Sequence, residues 1–357
     1  MNWFIIIFCL IAICLFVITY YLRLKRAHNK ELENFENLDN ANNAVDGLKK
    51  QLAKHNITIV FKNALDARQL IYNKSNTEYL QNMNQPNLLA RGCTSKDELY
   101  NKYLDGFDDI TDTERKRITL FILDLLDNIK PRDLAYYKYV CYWISRISIA
   151  KAKPWLEAGM PHTLESTIIM DADWFVKPRK TTFIHEITHI NQRITPFEFE
   201  DLYKDLGYIY YSKGIENIKG MNPVIALNRN NPDGLSPNWL WIDKTNNNTW
   251  WIGAIFQTII PSKLTDVNNV ALKLERDNDG NTLYYLKQQP TILESLTEFN
   301  TFFGNNPNNY HPNEMSAKFN EIYLEYVLGI AGKEKYDKYP GFNIYKKHFE
   351  KIINSYY

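Results

Sequence analysis

The pattern of apolar and polar positions changes period along the chain. Trp3 to Leu22 (WFIIIFCLIAICLFVITYYL) is a run of uncharged, mostly apolar residues, long enough to cross a bilayer as a helix rising about 1.5 Å per residue. It predicts a transmembrane anchor over residues 1–22 rather than a cleaved signal peptide, because no basic stretch precedes it and no small residues mark a cleavage site. Arg23, Lys25, Arg26 and Lys30 follow at once, an excess of positive charge that keeps the C-terminal body on the cytosolic side of the membrane. Leu38, Ala41, Val45, Leu48 and Leu52 then recur at heptad spacing in a charged stretch. Two heptads are too few to argue a coiled coil, so residues 23–55 read as a polar stalk.

Residues 56–155 read as a mainly helical scaffold. Ile57 to Phe61 is a strand candidate, and the polar run through Gln85-Pro86 and Gly92-Cys93 predicts surface helices and loops. Thr111-Asp-Thr-Glu114 has the capping-box pattern and opens an apolar helix that runs through Ile129 and stops at Pro131. A second helix is expected from about Asp133 to Lys153, with Tyr136, Tyr139, Val140, Trp143, Ile147 and Ala150 as its core stripe. After Pro154 the composition shifts. Leu164 to Met170 is β-prone, Trp239 to Asp243 faces Thr249 to Phe256 as a hairpin, Val270 to Leu274 faces Leu283 to Leu286 as another, and a helix is expected from Pro312 to about Leu328. Residues 156–357 therefore form the second region of an α+β chain with a helical C-terminal part.

The candidate chemistry sits in Thr181 to Ile194, TTFIHEITHINQRI. At about 100° per residue, His185, Glu186 and His189 fall within one third of the helix circumference, so two imidazoles four apart can grip one ion beside a carboxylate. Phe183, Ile184, Ile187, Ile190 and Ile194 take the opposite side, giving an amphipathic helix with an apolar face for a core and a His/Glu face for a cleft. Pro196 ends it, because Thr195 is pushed out of the α region. The bland alternative is a pair of histidines at i, i+4 that binds nothing.

Charge and composition remove other classes. With 42 basic and 41 acidic residues there is no electrostatic case for nucleic acid. Cys9 and Cys14 lie in the apolar N-terminus, and Cys93 and Cys141 make neither a disulfide framework nor a zinc knuckle. Asp277-Asn-Asp-Gly280 lacks the alternation and the closing Glu of a calcium loop.

His185-Glu-Ile-Thr-His189 resembles the zinc helix of the HExxH metallopeptidases. Gln192 and Thr195 stand where the metzincin class has Gly and His, which excludes that class. His311-Pro-Asn-Glu-Met-Ser-Ala317 is similar to the gluzincin helix, in which a Glu ligand is followed three residues later by a small residue. The resemblance implies a zincin-like fold and one Zn2+ held by His185, His189 and Glu314. Water on the zinc would give up its proton to Glu186, the catalytic base of peptide-bond hydrolysis. It also implies that the strand ahead of the metal helix is an edge strand of a mixed sheet, lining the cleft and pairing with an extended substrate. Two departures stand out: Glu314 lies 125 residues beyond His189, further than gluzincins usually place it, and Lys318 occupies the position where many members have an acid that orients the first histidine. Glu314 also suits helix position N3 for capping reasons alone, leaving Glu298 and Glu294 as other third ligands. His162, Tyr310, His311 and His348 are candidates for the oxyanion donor, and Arg193 for a substrate carboxylate, a nearby acid or a surface ion pair. The layout of a membrane anchor on an Asn- and Tyr-rich body resembles proteins of large DNA viruses. The expected partners are a peptide or protein substrate and, through residues 3–22, a membrane. The competing reading is a membrane-anchored structural protein with a vestigial or structural metal site; a zinc hydrolase of non-peptide amides is a third.

Overall fold

The computed structural model describes residues 41–357 apart from 234–235, 278–281, 286–288, 307, 331–336 and 357. The apolar run Trp3 to Leu22 and the basic residues after it lie outside the described residues, among which no helix is long and apolar enough to cross a membrane. Two compact units separate, Met1–Lys54 and His55–Tyr357. What is described of the first is helical, part of helix α1 (Ala41–His55), which carries Ala41, Val45, Leu48 and Leu52 of the heptad pattern.

The second unit holds two sheets. The first is mixed and contains β1 (Val60–Phe61), β2 (Phe107–Asp108), β3 (Ser148–Ala152), β4 (His162–Leu164) and β5 (Thr167–Asp171). Its order is β1-β3-β5-β4 with β2 on β3; β1, β3 and β5 run parallel, while β4 lies antiparallel on β5 as an edge strand. The stretch read as scaffold thus supplies three of the five strands. The second sheet is antiparallel: β6 (Tyr208–Tyr210), β7 (Trp239–Ile242), β8 (Thr249–Phe256), β9 (Val267–Arg276), β10 (Leu283–Tyr285) and β11 (Thr291–Ile292), ordered β10-β9-β8-β7-β6 with β11 also on β9.

Two expected elements change. The helix expected from Asp133 to Lys153 stops at Ile144, and β3 begins at Ser148. Four of its five residues are buried, so this central parallel strand has little polar alternation to set it apart from a buried helical segment. The strand expected over Leu164 to Met170 is broken into the β4–β5 hairpin, because Glu165 takes a left-handed backbone (φ 53°). Thr167 to Met170, expected on the edge strand, therefore belongs to β5, a core strand between β3 and β4, and the edge strand is β4, one residue of which is His162.

Six further helices frame the site: α2 (Gln85–Ala90), α3 (Asp112–Ile129), α4 (Leu134–Ile144), α5 (Lys180–Ile194), α6 (Pro312–Leu328) and α7 (Pro340–Ser355). The capping box of α3 forms as expected, Thr111 and Glu114 each bonding the other's backbone N–H. Tyr136, Tyr139 and Trp143 of α4 are fully buried, and their rings pack edge to face on α6 and α7, with centroids 5.2 Å apart for Tyr136–Tyr323 and for Tyr139–Phe349. The hydroxyls are spent on the metal helix and its partner. Tyr136 Oη donates to Asn320 Oδ1 (3.0 Å), Asn320 Nδ2 donates to Thr188 Oγ1 (2.8 Å), and Asn191 Nδ2 donates to Tyr139 Oη (3.0 Å). Each buried bond contributes about 1 kcal/mol net, and breaking one strands a partner at a higher cost. This chain fixes the register of α5 against α6.

Candidate metal centre

Helix α5 emerges from Pro178-Arg179 and ends where Thr195 leaves the helical region (φ −126°, ψ 58°). Phe183, Ile184, Ile187 and Ile190 are fully buried, whereas Ile194 is half exposed. His185, Glu186 and His189 are also buried, at 8%, 3% and 2% exposure, because α6 and the loop before β7 cover their face. Helix α6 starts at Pro312 with His311 as N-cap, which puts Glu314 at N3. Ser316 and Ala317 are fully buried at the α5 contact, so small side chains let the two helices approach.

Glu314 Oε2 lies 3.3 Å from His185 Nε2 and 3.7 Å from His189 Nε2, and the two Nε2 atoms are 3.0 Å apart. A tetrahedral ion about 2.1 Å from each donor would separate them by about 3.4 Å. Glu294 and Glu298 are exposed and stand in no such group.

The outer hydrogen bonds decide what the donors present. His185 Nδ1 lies 2.7 Å from Glu321 Oε1, and His189 Nδ1 lies 2.9 Å from Gln192 Oε1. Gln192 is oriented by its own amide, which donates to Asn313 O and Ser316 Oγ. Both imidazoles therefore donate through Nδ1 and turn bare Nε2 lone pairs toward each other and toward a carboxylate oxygen, an arrangement that repels unless a cation lies between them. Burial opposes a charge on His185, yet hydrogen bonds to Glu314 and Glu321 hold it well above the usual histidine value. Burial likewise opposes His189, and Asp233 and Glu314 outweigh it. Glu314 falls well below the carboxylate range, burial being overcome by the two histidines. The donor set of two imidazoles and one carboxylate fits a divalent cation such as zinc, and the same convergence raises the two histidines and lowers Glu314 when a proton takes the cation's place.

Lys318 does not orient His185; it pairs with Glu321 Oε2 at 2.7 Å, and Glu321 takes the orienting position one turn further along α6. Glu314's other oxygen accepts from Asn231 Nδ2 (2.8 Å), and Tyr310 hydrogen-bonds Glu314 as well. Asn231 belongs to a loop, residues 228–233, that is clamped from 140 residues upstream. Asn87 Nδ2 donates to Asn228 O (2.9 Å), Asn230 N donates to Asn87 Oδ1 (2.8 Å) and Arg91 Nη2 donates to Asn230 O (3.0 Å). Arg91 is itself locked in a buried bidentate pair with Glu157, at 2.7 and 2.9 Å, to which Tyr103 adds a hydroxyl. The segment read as surface helices and loops is thus the far support of a candidate metal ligand.

A cleft of about 420 Å³ opens beside the triad, lined by His185, Glu186 and Glu314, by residues 229–233 and by His162 and Tyr310. Glu186 Oε2 is buried with no hydrogen-bond partner among the described residues. Burial, with the Asp233 carboxylate facing it, pushes Glu186 up to about 8. Asp233 is held in place by Thr163, whose N and Oγ1 both donate to Oδ1 (2.7 and 2.6 Å).

The other candidates divide. Tyr310 Oη accepts from Arg229 (2.9 Å) and Asn231 (3.1 Å) at the cleft wall. His311 is spent elsewhere: Nδ1 accepts from Asn313 N (3.1 Å), so Nε2 carries the proton that goes to Ser236 O (2.9 Å). His348 pairs with Asp205, far along the chain from any cleft residue. Arg193 donates to Thr163 Oγ1 (2.9 Å) and to Glu165 O, tying α5 to the β4–β5 turn rather than reaching a substrate. Glu321, Gln192, Asn231 and Asp233 were not foreseen from the sequence. Only Glu321 left a signal there: seven residues after Glu314, it returns to within about 20° of the same helix face.

No protein-family model, no curated protein and no solved structure matches this chain.

Proposed function

We infer that this chain is a zinc metallopeptidase, anchored to a membrane through residues 3–22, with His185, His189 and Glu314 as metal ligands and Glu186 as general base. The observation that carries the reading is Glu186: a buried carboxylate with a free oxygen, beside three converging metal donors and open to a cleft. A purely structural metal site has no need of such a group. Bound zinc would supply a Lewis acid for the scissile carbonyl and lower the pKa of water toward neutrality. Glu186 Oε2 accepts the proton released when water adds to the carbonyl carbon, then delivers it to the nitrogen of the leaving amine. Its buried, unpartnered oxygen suits both halves of that task, since it can take a proton from water and return it without first giving up another hydrogen bond. Glu321 and Gln192 hold the imidazoles in the tautomer that presents Nε2, and Asn231 aims Glu314. Arg229 and Asn230 line the same cleft and give an extended peptide polar contacts. The test is metal stoichiometry and peptide-library cleavage on the full-length chain, wild type against Glu186→Gln. Zinc at one per chain with cleavage by the wild type alone supports the reading; zinc binding with no cleavage by either returns the chain to the structural alternative.

A further inference from the structure

His162 was a candidate donor to the oxyanion, and its surroundings reverse that role. It lies on the edge strand β4 with 1% exposure, and it lines the cleft. Its Nδ1 is 3.0 Å from Met160 O. A carbonyl only accepts, so Nδ1 carries a proton, and in the tautomer this selects Nε2 is the lone-pair nitrogen. That Nε2 is buried with no partner among the described residues. A buried acceptor left unpaired is costly, and a site built around one rejects ligands that cannot donate to it. The neighbouring wall reinforces the polarity. Glu157 also lines the cleft, and its charge is matched by Arg91 behind it, so it adds no unpaired charge to the wall that His162 shares.

We propose that His162 Nε2 is a specificity-determining acceptor, selecting peptides whose side chain at one position beside the scissile bond carries an O–H or N–H donor. The inference rests on the peptidase reading, because it names the substrate class of that same cleft. It assigns His162 to substrate selection and removes it from the stabilisation of the reacting carbonyl.

The experiment uses the full-length, zinc-loaded chain and paired peptides that differ by one isosteric exchange, Thr for Val and Lys for 2-aminoheptanoate, scanned through every position on both sides of the cleaved bond. The wild type is expected to favour the donor-bearing member at one position by about tenfold to a hundredfold in kcat/KM. His162→Phe keeps a planar ring and removes the acceptor, and should erase that preference; His162→Gln restores an oxygen near the place of Nε2 and should recover part of it. The wild-type comparison stands even where a variant fails to fold. Cleavage by the wild type without any donor preference overturns the inference and leaves the peptidase reading intact. An equal fall in kcat for every peptide in His162→Phe overturns it too, by returning His162 to the reacting carbonyl. If zinc is bound and no peptide is cleaved, the peptidase reading fails and takes this inference with it.

Discussion

Nδ1 of His185 lies 2.7 Å from Oε1 of Glu321, a residue seven positions beyond the candidate ligand Glu314 on the same helix. One helix therefore supplies both a candidate metal donor and the carboxylate that sets the tautomer of another. The arrangement separates two kinds of loss. Glu314→Ala should abolish tight zinc binding, whereas Glu321→Gln, which keeps an acceptor but not the charge, should weaken it by about tenfold to a hundredfold. Glu294→Ala and Glu298→Ala, both at exposed positions, should leave it unchanged. Competition against a chelator of known affinity measures all four.

Glu186→Gln should retain zinc and thermal stability and lose about 10² to 10⁴ in turnover, since the amide keeps the shape but cannot take the proton. Metal analysis beside steady-state kinetics on one preparation checks it; loss of zinc together with fold would make Glu186 a structural residue.

How much of this was legible depends on distance along the chain. His185, Glu186 and His189 were legible because four residues on one helix fix their geometry, and Glu314 because Pro312 and the small residues around it mark a helix start. The sequence showed Lys318 as a departure, standing where many gluzincins have the acid that orients the first histidine, and the acid beside His185 is Glu321, one turn further on and paired with Lys318. Asn231 and Asp233 left no periodic trace, for a loop held by side chains of Asn87 and Arg91 obeys tertiary contacts and no local rule. The break at Glu165 was hidden for a related reason, its left-handed φ being imposed by a hairpin inside a stretch, Leu164 to Met170, that reads as one β-prone segment.

Removing the clamp should therefore act at a distance. Asn87 is fully buried and bonds the loop backbone on both sides of Arg229. In Asn87→Ala the loop loses its register, Asn231 no longer aims Glu314, and zinc affinity should fall by about tenfold or more with every ligand still present. Calorimetric zinc titration on the folded variant reads this directly.

The buried Arg91–Glu157 pair predicts a stability effect. Glu157→Gln leaves the guanidinium unpaired in the interior and should cost about 3 to 5 kcal/mol, while the double exchange Arg91→Met with Glu157→Leu should cost less than the single one. Urea unfolding of the three chains, compared at equal m-values, decides it.

His311 predicts an acid limit. Burial is the main force that lowers it, to about 4, and the ring has no site for a second proton because Nδ1 already accepts from Asn313 N. A folded-state pKa below the unfolded 6.5 means that the unfolded chain binds the extra proton, so stability is present above pH 6.5 and is lost as pH falls from there toward 4. The contribution is about 3 kcal/mol. His311→Asn can still cap α6 through its side-chain oxygen, and its unfolding midpoint should fall less steeply over that window in parallel pH titrations.

The clamped loop and the two-helix contact also set when the site can exist. A chain made from its N-terminus exposes Asn87, then both histidines, then Asn231, and completes the ligand set only once α6 has followed. Contacts this far apart in sequence close late in folding. Until then the two histidines stand as an open pair on a single helix, a grip that copper or nickel would take as readily as zinc. Were a metal bound, selection among metals would fall to the finished fold, where a carboxylate aimed by Asn231 and imidazoles turned by Glu321 and Gln192 present a small, fixed triangle.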